Sequence, residues 1–308
     1  MHRDLPPITF YIDDNDLPKA MPSTFTEYKE WLGENRSRFG GRFYWILATG
    51  LLLRESGFPC TITTTFPNKG IIIAHYDSLS FDGPPPDDTL LVCVQADRAE
   101  HPQAQLHVVQ NPSDYKVSTG KGFFIPHWPE PLLLPRLTNR KDSFQNVCYF
   151  GWRGCLTKEL QSEQWVADLN KLGLTWNLAS EEQCLLWPDY RCVDVIVAVR
   201  SFKVVEHKWV NKPASKLYNA WIAGVPAILG RESAYQMEKR SILDYIEVGS
   251  YQEALSALRL LRDDCTLRHR IVENGLTRAM EVSYESILGC WKEFLVNVTV
   301  PRYHHSLR

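Results

Sequence analysis

The chain has 308 residues, 44% of them hydrophobic and 23% charged, with a formal charge of −2. That is the balance of a soluble globular protein, long enough for two domains of about 150 residues each. The near-neutral charge offers no basic face for nucleic acid, and the longest apolar run, Trp45 to Leu53, falls short of the roughly 20 residues that span a bilayer.

Ile8 to Ile12 is a short β-type run. Arg38 to Gly57 reads as a glycine-bearing loop followed by an apolar helix, Phe43 to Glu55, and Cys60 to Phe66 as a threonine-rich strand. Ile71 to Ala74, Leu90 to Val94, Leu106 to Gln110 and Phe123 to Ile125 follow as strands. Such continuous apolar runs mark a parallel sheet covered on both faces. Only one long helix is expected before residue 130. Prolines 126, 129, 131 and 135 then favour extended backbone and mark a linker. A second α/β pattern opens with strand Val147 to Phe150 and the loop Gly151-Trp152-Arg153-Gly154. Lys158 to Leu172 reads as helix, Thr175 to Leu178 and Val193 to Val199 as strands. Residues 215–223 are expected as helix and 227–229 as strand. Helices are expected again over Glu232 to Arg240, Tyr251 to Asp263, Leu267 to Glu281 and Tyr284 to Val296.

The fold class is therefore α/β, with two Rossmann-like domains in series. The N-terminal domain covers 1–130, the linker 131–144 and the C-terminal domain 145–283. A last helical stretch, 284–308, is placed to cross back to the first domain. In open α/β sheets ligands bind at the carboxyl ends of the strands, so two halves facing across a cleft are expected to share a site there. Eight cysteines are scattered without a Cys-x-x-Cys pair, several in apolar contexts where a free cysteine acts as a small buried hydrophobe. The N-terminal Met-His-Arg-Asp-Leu-Pro-Pro has no apolar signal core. A reduced, cytoplasmic setting without a zinc site fits these features; peripheral contact with the inner face of a membrane is left open.

The most informative stretch is Lys212-Pro-Ala-Ser215-Lys216, running into the apolar helix that carries Leu217, Asn219 and Trp221. A hydroxyl, ammonium groups and unpaired N–H groups at a helix N-terminus favour an anion. This element resembles the donor-binding loop and helix of GT-B glycosyltransferases, which hold the diphosphate and ribose of a nucleotide-sugar. Three further landmarks match that family in order. Phe39-Gly40-Gly41-Arg42 before an apolar helix resembles the glycine loop of the family's N-terminal domain. Tyr149 to Gly154 resembles the loop beside the donor. Val193-Asp194-Val195-Ile196-Val197 resembles the strand preceding the donor loop. The resemblance implies GT-B architecture and a group 1-like, nucleotide-sugar-dependent enzyme. One departure stands out: where many retaining members carry two glutamates separated by seven residues, this chain has Asn211 and Asn219. Amides hydrogen-bond hydroxyls but carry no charge, so stereochemistry stays open.

The resemblance assigns donor binding to Gly41, Arg153, Arg200, Lys212, Ser215, Lys216 and Asn219, where fixed cations and helix-terminal N–H groups stabilise the leaving diphosphate without a metal or other cofactor. For a base, His75 follows a buried strand and Asp77 lies two residues on, a histidine oriented by a carboxylate. Asp97, Asp13 and Asp14 hold similar strand-end positions. His127 and Trp128 are candidates for the acceptor side, Trp128 by stacking on a sugar. Asp14-Asn15-Asp16 reads as a solvated turn. The implied partners are a nucleotide-sugar donor and a glycan or lipid-linked hydroxyl acceptor, as in polysaccharide biosynthesis. A non-catalytic nucleotide or sugar-phosphate binder and a nucleotide-sugar epimerase share the fold and remain alternatives. A dinucleotide oxidoreductase is disfavoured, since no Gly-x-Gly-x-x-Gly follows a strand.

Overall fold

The computed structural model describes residues 5–13, 17, 20–35, 41–80, 82–203 and 209–306. The chain divides into two compact units. The first comprises Met1–Trp128, Asn211–Pro213 and Tyr284–Arg308, the second Pro129–Val210 and Ala214–Ser283.

In the first unit, strands β1 (Ile8–Tyr11), β2 (Thr61–Thr63), β3 (Gly70–His75), β4 (Thr89–Val94), β5 (Leu106–Val109) and β6 (Gly122–Phe124) form one sheet in the order β2-β1-β3-β4-β5-β6. Every pair is parallel, as the continuous apolar runs dictate. The threonine-rich run is shorter than expected, because β2 lies at the sheet edge with only β1 beside it. The expectation of a single helix before residue 130 is corrected by α1 (Phe25–Glu34). Its start is fixed by Thr24, whose hydroxyl accepts from the Glu27 amide, while Glu27 reaches back to the Ser23 amide at 2.7 Å, a reciprocal cap. The apolar stretch after Gly41 is helical but not uniform: a π-helical turn, Phe43–Leu47, leads into α2 (Ala48–Glu55). Such turns cluster near functional sites. The short helix α3 (Tyr115–Ser118) precedes β6.

In the second unit, β7 (Asn146–Phe150), α4 (Glu163–Lys171), β8 (Thr175–Ala179), β9 (Val195–Ala198), α5 (Ser215–Ala223), β10 (Ala227–Gly230), α6 (Ser233–Glu238) and β11 (Ile246–Val248) build a parallel sheet of order β11-β10-β9-β7-β8. Two helices complete it, α7 (Tyr251–Asp263) and α8 (Cys265–Ala279). Residues expected as one helix from Lys158 begin with a 3-10 turn, and α4 starts only after Ser162 caps the Trp165 amide. Strand β11 is too short to stand out in the sequence. Gly224 ends α5 in the left-handed region at φ +69°, which favours glycine.

The proline-rich stretch is not a free linker. Residues 131–144 belong to the second unit, where the Leu134 amide donates to Pro188, the Leu137 amide to Arg191 and the Arg136 amide to Ala223. Proline fits this extended run because the hydrogen-bonding positions fall on its neighbours. The last segment returns to the first unit as α9 (Tyr284–Phe294), a π turn and α10 (Val300–Ser306). Trp291 packs edge-on against Phe10 at 6.0 Å and Trp45 at 6.5 Å, and Phe294 against Phe123 at 4.9 Å. Aromatic burial of this size contributes strongly to a core. Among the described residues no helix is long and apolar enough to cross a membrane.

Candidate functional site

Because all strands of the first unit run parallel, the residues that end them share one edge. Asp13 follows β1, His75 closes β3, Gln95 follows β4, Gln110 follows β5 and His127 lies just past β6. This is the edge at which open α/β sheets bind ligands. Gly41 stands over His75: a Cβ there would lie 2.6 Å from His75 Nε2, so only glycine fits. Arg42 holds both Asp13 oxygens at 3.0 and 2.9 Å, and Ser78 donates to the same carboxylate at 2.7 Å. Gly40, Asp14, Asn15 and Asp16 lie outside the described residues.

The two histidines of this edge hold opposite tautomers. His75 is 3% exposed, and its Nδ1 accepts from the Asp77 amide at 3.1 Å. The proton of the neutral ring therefore sits on Nε2, which has no hydrogen-bond partner among the described residues. Asp77 is engaged by Arg98 at 2.7 and 2.9 Å, and its carboxylate comes only within 3.7 Å of His75 Nδ1. The expected His75–Asp77 base is thus corrected: His75 offers a donor at Nε2, and Asp77 does not receive a ring proton. Burial pushes the His75 pKa down to about 4, against the pull of Asp77. His127 is the converse. Its Nδ1 lies 2.7 Å from the Trp128 carbonyl and so donates, which puts the lone pair on Nε2. Its ring packs on Tyr44 and Trp45 at 5.9 and 5.1 Å. Burial holds its pKa below the ordinary histidine value, although the Trp128 carbonyl and the charge of Asp97 oppose the shift.

Trp128 is not available for stacking on an acceptor. It is 2% exposed, donates from Nε1 to Thr49 at 2.8 Å and stacks on Tyr284 at 5.7 Å. Lys212 also departs from its expected role. It lies in the first unit and pairs with Asp97 Oδ2 at 2.6 Å, while Gln110 donates to Asp97 Oδ1 at 2.6 Å and to the Asn211 carbonyl at 3.0 Å. The side chain of Asn211 donates to the Asp97 carbonyl. This strap ties residues 211–213 to the strand edge; its partners lie more than a hundred residues away and leave no sequence signal.

His101 and His107 are buried too, and burial lowers the pKa of each. An unfolded histidine takes up a proton near 6.5, whereas folded His75 resists to about 4. The unfolded state thus binds more protons between those values. Stability is complete above about pH 6.5 and declines as the pH falls towards 4, by about 3 kcal/mol for His75 alone. Urea unfolding at pH 7 and pH 4.5 should show the loss, and His75→Gln should reduce it; equal losses in both proteins would refute the assignment.

In the second unit, the N-terminus of α5 meets the loop after β7. No side chain caps α5 at Ala214, whereas Ser162, Ser250 and Asp264 cap α4, α7 and α8. Its first residues are Ser215 and Lys216. Gly151 has φ +142°, and a Cβ on it would lie 3.0 Å from Lys216 Nζ and 3.2 Å from Tyr149 Oη. Lys216 also stands over the Tyr149 ring at 5.5 Å. The conformation favours glycine here, and its missing side chain leaves room for the ammonium. The Arg153 amide donates to Glu181 at 2.7 Å while its side chain is exposed. Trp152 beside it is 62% exposed, an aromatic surface in the loop that meets the start of α5. Arg200 is withdrawn from this set: it is largely buried in an ion pair with Glu232. On α5, Asn219 Oδ1 accepts from the Glu130 amide at 3.3 Å, so this amide braces the 129–131 segment.

No protein-family model and no curated protein sequence matches the chain. Solved structures do. Sucrose-phosphate synthase from Thermosynechococcus elongatus superposes with a TM-score of 0.55 at 12% identity, covering 95% of this chain and 98% of its own. HepE from Anabaena, in complex with UDP and glucose, gives a TM-score of 0.51 at 11% identity over 95% of this chain and 100% of its own. The protein has the GT-B glycosyltransferase fold, with two Rossmann-like α/β domains.

Proposed function

We propose that this protein transfers a sugar from a nucleoside-diphosphate sugar to a hydroxyl acceptor, without a metal. The reading is carried by one observation: Lys216, the uncapped start of α5 and Gly151, in a backbone conformation that favours glycine, converge at the carboxyl end of the second sheet. Helix-terminal N–H groups and a fixed ammonium suit a diphosphate. Arg153 adds a forked donor. That HepE, a protein of the same fold, was crystallised with UDP and glucose supports a nucleotide-sugar donor.

In the reaction the bond between the anomeric carbon and the diphosphate oxygen breaks as one to the acceptor oxygen forms. The leaving diphosphate takes the charge, which preorganised donors stabilise. Within the first unit, we assign the role of proton acceptor to Nε2 of His127, which keeps the lone pair because Nδ1 donates to the Trp128 carbonyl. His75 keeps its proton and supplies a donor under Gly41.

UDP serves as the test ligand. At a hundred times its Kd it should stabilise the wild-type chain by about 2.7 kcal/mol. Lys216→Ala should reduce that shift and lower turnover at least about tenfold. A variant with unchanged shift and rate would remove Lys216 from the donor site.

A non-catalytic nucleotide binder is favoured by one feature. The family's two carboxylates are asparagines here, and both amides are engaged in bracing contacts. A panel of nucleotide-sugars separates the readings, since a binder would show thermal shifts without hydrolysis or transfer.

A further inference from the structure

The second sheet carries a groove on one face that the donor chemistry does not use. In a parallel sheet the β8-to-β9 connection normally lays a helix across the strands. Here residues 180–194 carry only the 3-10 stretch Glu181–Leu186. The register pairs Asn146 with Thr175, Cys148 with Asn177 and Phe150 with Ala179, so these side chains share one face. Above them lies a groove of about 600 Å3, walled by Leu137, Leu186 and Gln183. That is within the size range of small-molecule sites.

Its chemistry is specific. The charged groups Asp189 and Arg191 neutralise one another through a two-pronged pair, at 2.9 and 2.8 Å. The Cys148 thiol is pushed up to about 12 by burial and stays neutral. No cation of the lining is left to favour a phosphate. The polar groups are instead three carboxamides, Asn146, Asn177 and Gln183, each bearing donors and acceptors. Asn146 is oriented by its own Nδ2, which donates to the Cys192 carbonyl at 2.8 Å. Phe150, Leu137 and Leu186 add apolar surface. Carboxamides beside apolar walls match a ring that has hydroxyls at its edge and C–H groups on its face.

We infer that this groove is a second ligand site, which binds one pyranose unit of a neutral glycan. Bound there, a glycan would be held to the protein independently of the donor.

The test uses the full chain with maltotriose, cellotriose and chitotriose, followed by saturation-transfer NMR and calorimetry. At least one should bind with a Kd of about 1 mM or tighter. Asn177→Trp, at an exposed position of the edge strand, fills the groove and should weaken that binding tenfold or more. Gln183→Ala, on the exposed turn, should weaken it about threefold without altering the fold. The thermal shift with UDP should stay as in the wild type in both variants, and saturating UDP should leave glycan affinity unchanged. Absence of binding by all three probes, binding indifferent to both substitutions, or competition by UDP would each overturn the site. Loss of the UDP shift in the unaltered chain would count against the donor reading alone.

Discussion

Replacing His127 with glutamine should lower kcat by about 10²- to 10⁴-fold, the usual contribution of a positioned general base, with KM little changed. The expectation follows from hydrogen bonding. Nδ1 of His127 is committed to the Trp128 carbonyl at 2.7 Å, which leaves Nε2 as acceptor in the neutral ring. Burial lowers its pKa, so the ring is neutral at physiological pH and its rate should fall only as the medium becomes acidic enough to protonate it. The wild-type rate should therefore decline on the acid side with a midpoint below the ordinary histidine range, and His127→Gln should lose that limb. His75→Gln provides the contrast. Nε2 of His75 already carries its proton and the Nδ1 lone pair is taken by the Asp77 amide, so the ring could accept a proton only at Nδ1, by giving up that bond and becoming a buried cation. Its replacement should alter stability and substrate affinity while preserving the acid limb. If His127→Gln keeps wild-type turnover and profile, the acceptor proton leaves by another route.

Much of the fold was legible because a parallel sheet covered on both faces needs strands that are apolar throughout, and β3, β4 and β9 are such runs. α1 carried a readable signal as well: Phe25, Tyr28 and Leu32 recur at helical spacing behind Thr24 and Glu27, the residues that cap it. The proline-rich stretch misled because proline marks extended backbone, and an extended run can serve as a linker or lie paired along a domain. Only the partners at 188–191 decide between these. In the second unit, the hydroxyl and ammonium at the start of α5, Ser215 and Lys216, were legible from residue type, whereas the approach of Lys216 to Gly151, far away in the chain, was not. The fates of Lys212 and Arg200 were not. A cation's sequence context says nothing about a carboxylate more than a hundred residues away, such as Asp97, or on the neighbouring strand's end, such as Glu232. The tautomers of His75 and His127 depend on single backbone groups, which no residue pattern reveals.

Asp194→Ala should destabilise the second unit by about 3–5 kcal/mol, the range for breaking a buried ion pair from one side. The side chain is 1% exposed. It accepts from Arg136 at 2.9 Å, from Arg140 at 3.0 and 2.7 Å, and from the amides of Gln145 and Asn146 at 2.9 Å each. Removing it would take the carboxylate from Arg140 and from two strand-entry amides, and leave Arg136 with its bonds to the Lys141 and Ser143 carbonyls, at the point where residues 136–146 join β7 and β9. Burial alone would raise the Asp194 pKa, but the bonds from Arg140, the two amides and Arg136 outweigh it and hold the carboxyl below 3.8. A carboxyl with a depressed folded pKa contributes its full stabilisation above the unfolded value and loses it as the pH falls through the folded one. The urea midpoint of the wild type should therefore be insensitive to this group at neutral pH and drop in strong acid, whereas Asp194→Ala should begin from the lower value and lack that part of the drop. Arg140→Ala, which leaves the second arginine and both amides in place, should be milder. A loss under about 1 kcal/mol in Asp194→Ala would mean that the arginines find other partners, and that the aspartate ahead of the β9 strand matters for some reason other than anchoring the 136–146 segment.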